Sequence, residues 1–230
     1  MDGQTAVVTG ASRGIGAAVA RAFADAGAHV VVCARDLEPL EDVAADIRER
    51  GGTASAVRAD VRDEYDVEQL METAAREGGS IDTVVANAGV YHGDPGETPL
   101  AEESYSAVDD HVRTNARGVF ATVREAVPHL AGDARVLVTS GSVAREAKPG
   151  YGSYAVSKAA AEALARGFAA DIDQAVGVVD PGVVGTEVTG GQGREPESVA
   201  GQFVWAATDA PAEEVDGEVV DLKAWRAATR

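Results

Sequence analysis

A short β-branched run at residues 5–9 passes without a spacer into Gly10-Ala-Ser-Arg-Gly-Ile-Gly16, and an alanine-rich stretch follows to about residue 26. Strand, glycine loop and helix in that order leave few folds open. The glycines permit a tight turn and a close backbone approach, and the first N–H groups of the following helix suit a pyrophosphate. Gly10, Ser12, Arg13, Gly14, Ile15 and Gly16 are therefore the first cofactor-binding candidates. A bare trio of glycines means little; its position after the first strand gives it weight.

The same alternation continues along the chain. Strands are predicted at 29–34, 54–59 and 83–86, with helices at 38–50 and 64–77 between them. Connections this short suit right-handed crossovers in a parallel sheet. A long helix is predicted over 102–130, then a strand at 135–139, a loop holding Pro149, Gly150 and Gly152, and a helix to about 170. A strand at 177–179, a helix opened by Pro196 and a last strand at 218–221 complete the pattern. The expected fold is α/β: a single-domain Rossmann-type doubly wound parallel sheet of about seven strands with helices on both faces. No repeat, low-complexity tract or linker interrupts it, and 230 residues suffice for a full core.

Charge narrows the partners. The formal net charge is −18, and Lys148, Lys158 and Lys223 are the only lysines. Such a surface repels nucleic acid and anionic lipid, so neither is expected as a partner. The acidic residues share helices with apolar stripes, which argues against a disordered tail. Lysine scarcity beside abundant Ala, Asp and Glu favours adaptation to a high-salt cytoplasm over a merely acidic protein. Cys33 is the only cysteine, so no internal disulfide or multi-cysteine metal site can form. His29, His111 and His129 lack metal-ligand spacing, and no metal is expected. The chain enters a strand almost at once and has no membrane-length apolar run, from which a cytoplasmic location is expected.

The chemistry concentrates further along. Tyr154 and Lys158 stand four residues apart, on one face of a helix. A free tyrosine titrates near about 10; a lysine cation one turn away is expected to lower that value and make Tyr154 a workable acid or base. Ser142 lies where a strand gives out and can face the tyrosine. Taken alone, this pair is no more than a surface aromatic and a snorkelling lysine. Arg35 follows the second strand, where dinucleotide folds carry an acidic residue for the ribose hydroxyls. With Arg13 it could neutralise a 2′-phosphate, favouring NADP(H), while Asp36 one step later keeps NAD(H) open. Asp60, beside Val61, could accept from an adenine amino group or cap the next helix. Asn87, Ala88 and Gly89 would let backbone pass under a ribose, with Asn87 tying strand ends together. Asn115 is a poor mid-helix residue unless its side chain has a task; otherwise it is a solvated polar position. His92 could line the pocket with Tyr91 but is expected to be a loop residue without a role; Tyr151, close to Tyr154, could touch substrate.

In this order and spacing, Thr9-Gly-Ala-Ser-Arg-Gly-Ile-Gly16, Asp60-Val61, Asn87-Ala-Gly89, Asn115, Ser142, Tyr154-Ala-Val-Ser-Lys158 and Pro181-Gly182 with Thr186 resemble the short-chain dehydrogenase/reductase family. The likeness runs from Thr5 to about Leu222, and is nearest the 3-oxoacyl-carrier-protein reductase type and related ketone reductases. It implies a catalytic set of Asn115, Ser142, Tyr154 and Lys158. Tyr154 would exchange a proton with the substrate oxygen, Ser142 rather than Ser140 would hold that oxygen, Lys158 would hold the nicotinamide ribose, and Asn115 would keep a water in a proton relay. Backbone around Pro181, Gly182, Val184 and Thr186 would fix the carboxamide. The implied activity is interconversion of a ketone or 3-oxoacyl group and a secondary alcohol with NADP(H). The alternatives are an NAD-dependent alcohol or sugar dehydrogenase and a non-catalytic NADP(H)-sensing protein. Two departures stand out: residues 187–194 leave only a short substrate loop, and the tail continues past Asp221 without the usual Asp-Gly-Gly. The resemblance also implies a homodimer or homotetramer paired through the helices carrying Asn115 and Lys158.

Overall fold

The computed structural model describes residues 1–229. Seven parallel strands form one sheet: β1 (Thr5–Thr9), β2 (His29–Ala34), β3 (Thr53–Arg58), β4 (Ile81–Ala86), β5 (Leu130–Thr139), β6 (Ala175–Asp180) and β7 (Val219–Asp221). Their order is β3-β2-β1-β4-β5-β6-β7, so the chain reverses its direction of travel between β1 and β4. In such a sheet a crevice opens at the carboxyl ends of the two strands flanking the reversal. Here those ends lead into Gly10 and Asn87.

Alternate residues of the central strands enter two separate cores. Val8, Val30, Val32, Val85 and Leu137 pack under α1 (Gly14–Asp25), α2 (Leu37–Glu49) and α7 (Glu197–Ala207). Val7, Val31, Val84, Val136 and Val138 pack under α3 (Glu64–Gly78), α5 (Gly118–Ala126) and α6 (Gly152–Asp171). Burial on both faces explains why these strands read as continuous valine and alanine runs instead of alternating with polar residues.

Two stretches differ from their sequence expectation. The helix expected over 102–130 is broken into α4 (Tyr105–His111), a π-helical segment Val112–Arg117, α5 and a 3₁₀ turn Val127–His129. The wider π turn brings three consecutive residues, Thr114, Asn115 and Ala116, into the interior. A regular α-helix would turn one of them outward. Pro128 ends the helical run, and β5 starts at Leu130, five residues before the predicted strand. Its pairing with β4 is irregular between Ile81 and Thr83, which absorbs exposed Gly132 and Asp133. The tail, in turn, forms α8 (Leu222–Ala228), whose first N–H groups are capped by Asp221 Oδ1 at 2.9 and 2.7 Å from Lys223 and Ala224. Trp225 of this helix lies over Gly201 of α7, close enough that an added Cβ would meet its ring at 3.1 Å.

Candidate active site

The carboxyl ends of the strands open into a crevice of about 1620 Å³. That exceeds the roughly 300–1,000 Å³ of a single small-ligand pocket and gives room for a dinucleotide with a second molecule beside it. Every site residue singled out from the sequence lines this crevice except Gly16 and Asn115. Both of those stand behind its wall.

The wall at β1 and β4 is built almost wholly from backbone. A Cβ on Gly10 would come within 2.7 Å of Ala88 Cα, and one on Gly16 within 2.3 Å of the Gly10 carbonyl and 2.6 Å of the Asn87 amide. Gly16 therefore corrects its sequence assignment: it lets α1 close onto the strand ends and does not face the crevice. Gly10 and Gly14 adopt positive φ, of 65° and 58°. Asn87 ties the strand ends as expected, its Nδ2 donating to the carbonyls of Thr9 at 3.0 Å and Gly10 at 3.2 Å. The backbone N–H groups of Asn87 and Ala88 both donate to Thr9 Oγ1.

Helix α1 starts at this wall with no side-chain cap and no acidic residue in its first turn. Its leading N–H groups and positive dipole end face the crevice, which fits a pyrophosphate. Arg35 lines the crevice and forms no ion pair among the described residues. Arg13 instead reaches across to Glu187 at 2.7 Å, with both side chains mostly exposed, so a phosphate would have to compete for it. Asp36 stands at the start of α2 without making a capping bond, and it also lines the crevice. Asp60 is committed to Arg62, which donates from its backbone at 3.0 Å and from its guanidinium at 2.7–3.1 Å. Burial works to raise the Asp60 carboxyl, but these bonds and the arginine charge outweigh it and leave the group below its ordinary value. The helix cap for which Asp60 was the alternative is supplied by Asp63. Val61 packs on Gly118, where a Cβ would meet it at 2.8 Å.

Asn115 has the task its position called for. It is fully buried; its Oδ1 accepts from the Val90 N–H at 2.7 Å, and its Nδ2 donates to the Val90 carbonyl and Ser157 Oγ, each at 2.9 Å. The side chain thus fastens the segment after β4 to α6, and the alternative of a solvated polar position is overturned.

Helix α6 presents Tyr154 and Lys158 to the crevice floor on one face, the Lys158 Nζ lying 5.8 Å from the tyrosine ring centroid. Lys158 Nζ donates to the Thr139 carbonyl at 3.0 Å, and burial pushes its pKa down to about 8. The Tyr154 hydroxyl has no protein partner among the described residues. Its titration runs opposite to the sequence expectation: burial, then the neighbouring Tyr91, Tyr151 and Asp180, raise the phenol well above its ordinary value. Desolvation of the phenolate sets the direction although the Lys158 ammonium lies over the ring, so the protein's own groups keep Tyr154 protonated.

Ser142 and Ser140 are told apart by their bonds. Ser140 Oγ donates to buried Glu162 at 2.7 Å, whereas Ser142 stays at the crevice surface. Glu162 and Asp180 both pair with Arg145, which anchors the segment after Ser142 to α6 and to the end of β6. Beyond Asp180, the Gly182 N–H donates to Asp180 Oδ1 at 2.9 Å, and Gly182 has φ of 70°. Pro181, Gly182, Val184 and Thr186 all line the crevice, but the Thr186 N–H is taken by Thr189 Oγ1 at 3.0 Å. The short substrate loop is a closed turn: the Gly185 N–H donates to the Arg194 carbonyl at 2.8 Å, and the Arg194 N–H donates to the Val183 carbonyl at 3.0 Å.

An aromatic wall faces Tyr154 from the other side. Tyr91 lies 4.8 Å from the Tyr154 ring and stacks on Tyr151 at 6.4 Å and His111 at 5.7 Å. Histidine 111 is wholly buried: His92 N–H donates to its Nε2 at 2.9 Å, which leaves the proton on Nδ1 for Ser153 Oγ at 2.7 Å. Burial holds it below the ordinary histidine range. Ser153 in turn donates to Glu103 at 2.9 Å. His92 itself meets Asp110 at 2.7 Å and lines the crevice, more than a featureless loop residue would do. Sequence reading missed Lys148, which reaches Ser142, and the Glu103–Ser153–His111 chain. Only the scarcity of lysine could have drawn attention to the first, and no local signal announces the second.

Fold and crevice together define a dinucleotide-dependent oxidoreductase. Residues 4–197 match the short chain dehydrogenase family. A probable tetrahydroxynaphthalene reductase of Zymoseptoria tritici is 38% identical over 194 residues, covering 82% of this chain and 71% of that protein. A versicolorin reductase of Emericella nidulans is 36% identical over 193 residues, covering 82% and 72%. An alcohol dehydrogenase from the archaeon Thermococcus sibiricus, solved with 5-hydroxy-NADP, superposes with a TM-score of 0.85 at 31% identity over 95% of each chain. The chain belongs to the short-chain dehydrogenase/reductase family, and it is an NAD(P)-dependent oxidoreductase.

Proposed function

We propose that this protein is an NADP(H)-preferring reductase that interconverts a ketone or 3-oxoacyl group and a secondary alcohol, with Tyr154 as acid and base. The observation that carries the reading is a half-buried phenol without a protein partner among the described residues, beside a buried ammonium at the floor of a dinucleotide-sized crevice. A bound nicotinamide supplies hydride to the carbonyl carbon. Tyr154, held protonated by its surroundings, gives its proton to the carbonyl oxygen, and Ser142 donates a hydrogen bond to that oxygen as charge builds there. Lys158 binds the nicotinamide ribose and offsets the charge left on the phenolate. Asn115 holds the segment below the ribose in place and keeps a water within reach of Lys158 for the returning proton. Pro181, Gly182, Val184 and Thr186 would hold the carboxamide, with the Val184 N–H, unbonded among the described residues, as the available donor.

Unpaired Arg35 supports the preference for a 2′-phosphate. Asp36, uncapped and facing the same crevice, supports the second reading, an NAD-dependent alcohol or sugar dehydrogenase; parallel NADPH and NADH titrations decide between them. For substrate, the Tyr91–Tyr151 wall and the fused-ring name of the tetrahydroxynaphthalene relative support a planar cyclic ketone over a flexible acyl chain. Assembly through the α4–α5 and α6 faces is supported by exposed Val112, Phe120 and Val156, with Phe120 against Phe168 at 5.9 Å. The cytoplasmic, high-salt reading draws its support from the net charge of −18. No helix among the described residues is long and apolar enough to cross a membrane.

The test is Tyr154→Phe. Turnover on a panel of cyclic ketones should fall by about a thousandfold while NADPH binding stays within a factor of about two. Undiminished turnover removes Tyr154 from the acid/base role.

A further inference from the structure

The chain has three lysines against 38 acidic residues, and all three lysines line the one crevice. Lys158 has been accounted for. Lys148 has not, and its geometry is specific: Nζ donates to Ser142 Oγ at 2.6 Å and pairs with Glu146 at 3.1 Å. The segment holding it is folded on itself. The Ser142 carbonyl accepts from the N–H groups of Arg145 at 3.0 Å and Glu146 at 2.9 Å, and Lys148 N–H returns to the Glu146 carbonyl at 2.9 Å. Arg145 then locks this turn to buried Glu162 and Asp180. The lysine is therefore delivered to Ser142 by an anchored turn.

A serine hydroxyl has one proton and two lone pairs. Among the described residues, Lys148 is the only protein group bonded to Ser142 Oγ. An ammonium on one lone pair turns the hydroxyl proton away from the lysine and leaves it free for a group bound in the crevice that Ser142 lines. It also polarises the O–H bond, because a charge-assisted donor strengthens the next hydrogen bond in the chain. We propose that Lys148 is a positioning residue for the carbonyl-oxygen site: it aims and polarises the Ser142 hydroxyl so that Ser142 stabilises negative charge on the substrate oxygen. This rests on the reductase reading above. Lys148 itself neither gains nor loses a proton in the reaction; the transferred proton remains that of Tyr154.

The experiment is a double-mutant cycle joined to a measurement that needs no substrate. Lys148→Met should lower kcat for ketone reduction about 10–30-fold with the KM for NADPH within about twofold, and Lys148→Arg should recover most of the loss. In a Ser142→Ala background, the same Lys148→Met change should cost less than about twofold, since the group it acts through is gone. Equal losses in both backgrounds, or none in either, overturn the proposal. Separately, protein labelled with ¹⁵N-lysine carries only three side-chain ammonium groups to assign. Ser142→Ala should shift the Lys148 ammonium resonance and leave that of Lys223 in place; an unmoved Lys148 resonance also overturns the proposal. This arm reports on the hydrogen bond even in a protein that reduces none of the ketones, whereas failure of the reductase reading shows in wild-type turnover and in Tyr154→Phe.

Discussion

The two walls of the crevice are made differently. Along β1, α1 and β4, backbone meets backbone: Gly10 against Ala88, Gly16 against the Gly10 carbonyl, Asn87 across both strand ends. Along the opposite side, the surface is side chains on short turns: Tyr91, Tyr151, Lys148, Glu187. A backbone wall accepts few residues at each position, because a single methyl group has no room. A side-chain wall can change its chemistry by substitution without disturbing the sheet. This division lets one fold keep its cofactor while the partner molecule varies.

The largest effect should fall on the backbone wall. Gly16→Ala forces a methyl into the Gly10 carbonyl and the Asn87 amide, with no mobile side chain to yield. It should lower stability by about 2–3 kcal/mol and abolish NADPH binding, read by thermal melting and fluorescence titration. Normal binding in this variant would show that the wall is softer than its contacts imply.

Lys158 sits between the two walls, and its burial has a measurable sign. Its folded-state pKa of about 8 lies below the unfolded value, so the ammonium costs stability below about pH 8, and the cost is relieved as pH rises from there toward the unfolded value. Lys158→Met should thus raise stability by about 2 kcal/mol at pH 7, after the lost bond to the Thr139 carbonyl, and bring no gain near pH 10. The same variant should lose activity. In the wild type, kcat/KM for reduction should fall as pH passes about 8, where the ammonium is lost; a flat profile between pH 7 and 9 would remove Lys158 from the rate.

The side-chain wall should give smaller, more selective changes. Tyr91→Ala removes the ring that stacks on Tyr151 and lies tilted against Tyr154, and should raise the KM for a fused-ring ketone about tenfold with NADPH affinity unchanged. An equal rise for a small acyclic ketone would count against an aromatic substrate. The smallest effect concerns the contact that crosses between walls. Glu187→Gln frees Arg13 from an exposed ion pair and should tighten NADPH about two- to threefold while leaving NADH unaltered. Equal tightening of both cofactors would show that Arg13 does not sense the 2′-phosphate.

Features set by local pattern are legible in the sequence itself. Strand, glycine loop and helix at residues 5–26, the run of buried valines, and the four-residue spacing of Tyr154 and Lys158 depend on backbone geometry and periodicity, which sequence encodes directly. The helix around Asn115 was misread because a π turn leaves no compositional mark; it exists to send three successive residues inward. Arg13 has the right charge at the right place in sequence, yet its partner is a glutamate from a loop far along the chain.

Sequence alone therefore determined the doubly wound parallel character of the sheet, the glycine loop at its first strand and most of the side chains that reach the crevice. Tertiary structure decided what those side chains are like once there. Burial reversed the expected shift of Tyr154, Asn115 found Val90 and Ser157, and Lys148 found Ser142. The reason is physical: periodicity is a property of the backbone, whereas desolvation and through-space hydrogen bonds depend on which distant segments the fold packs together.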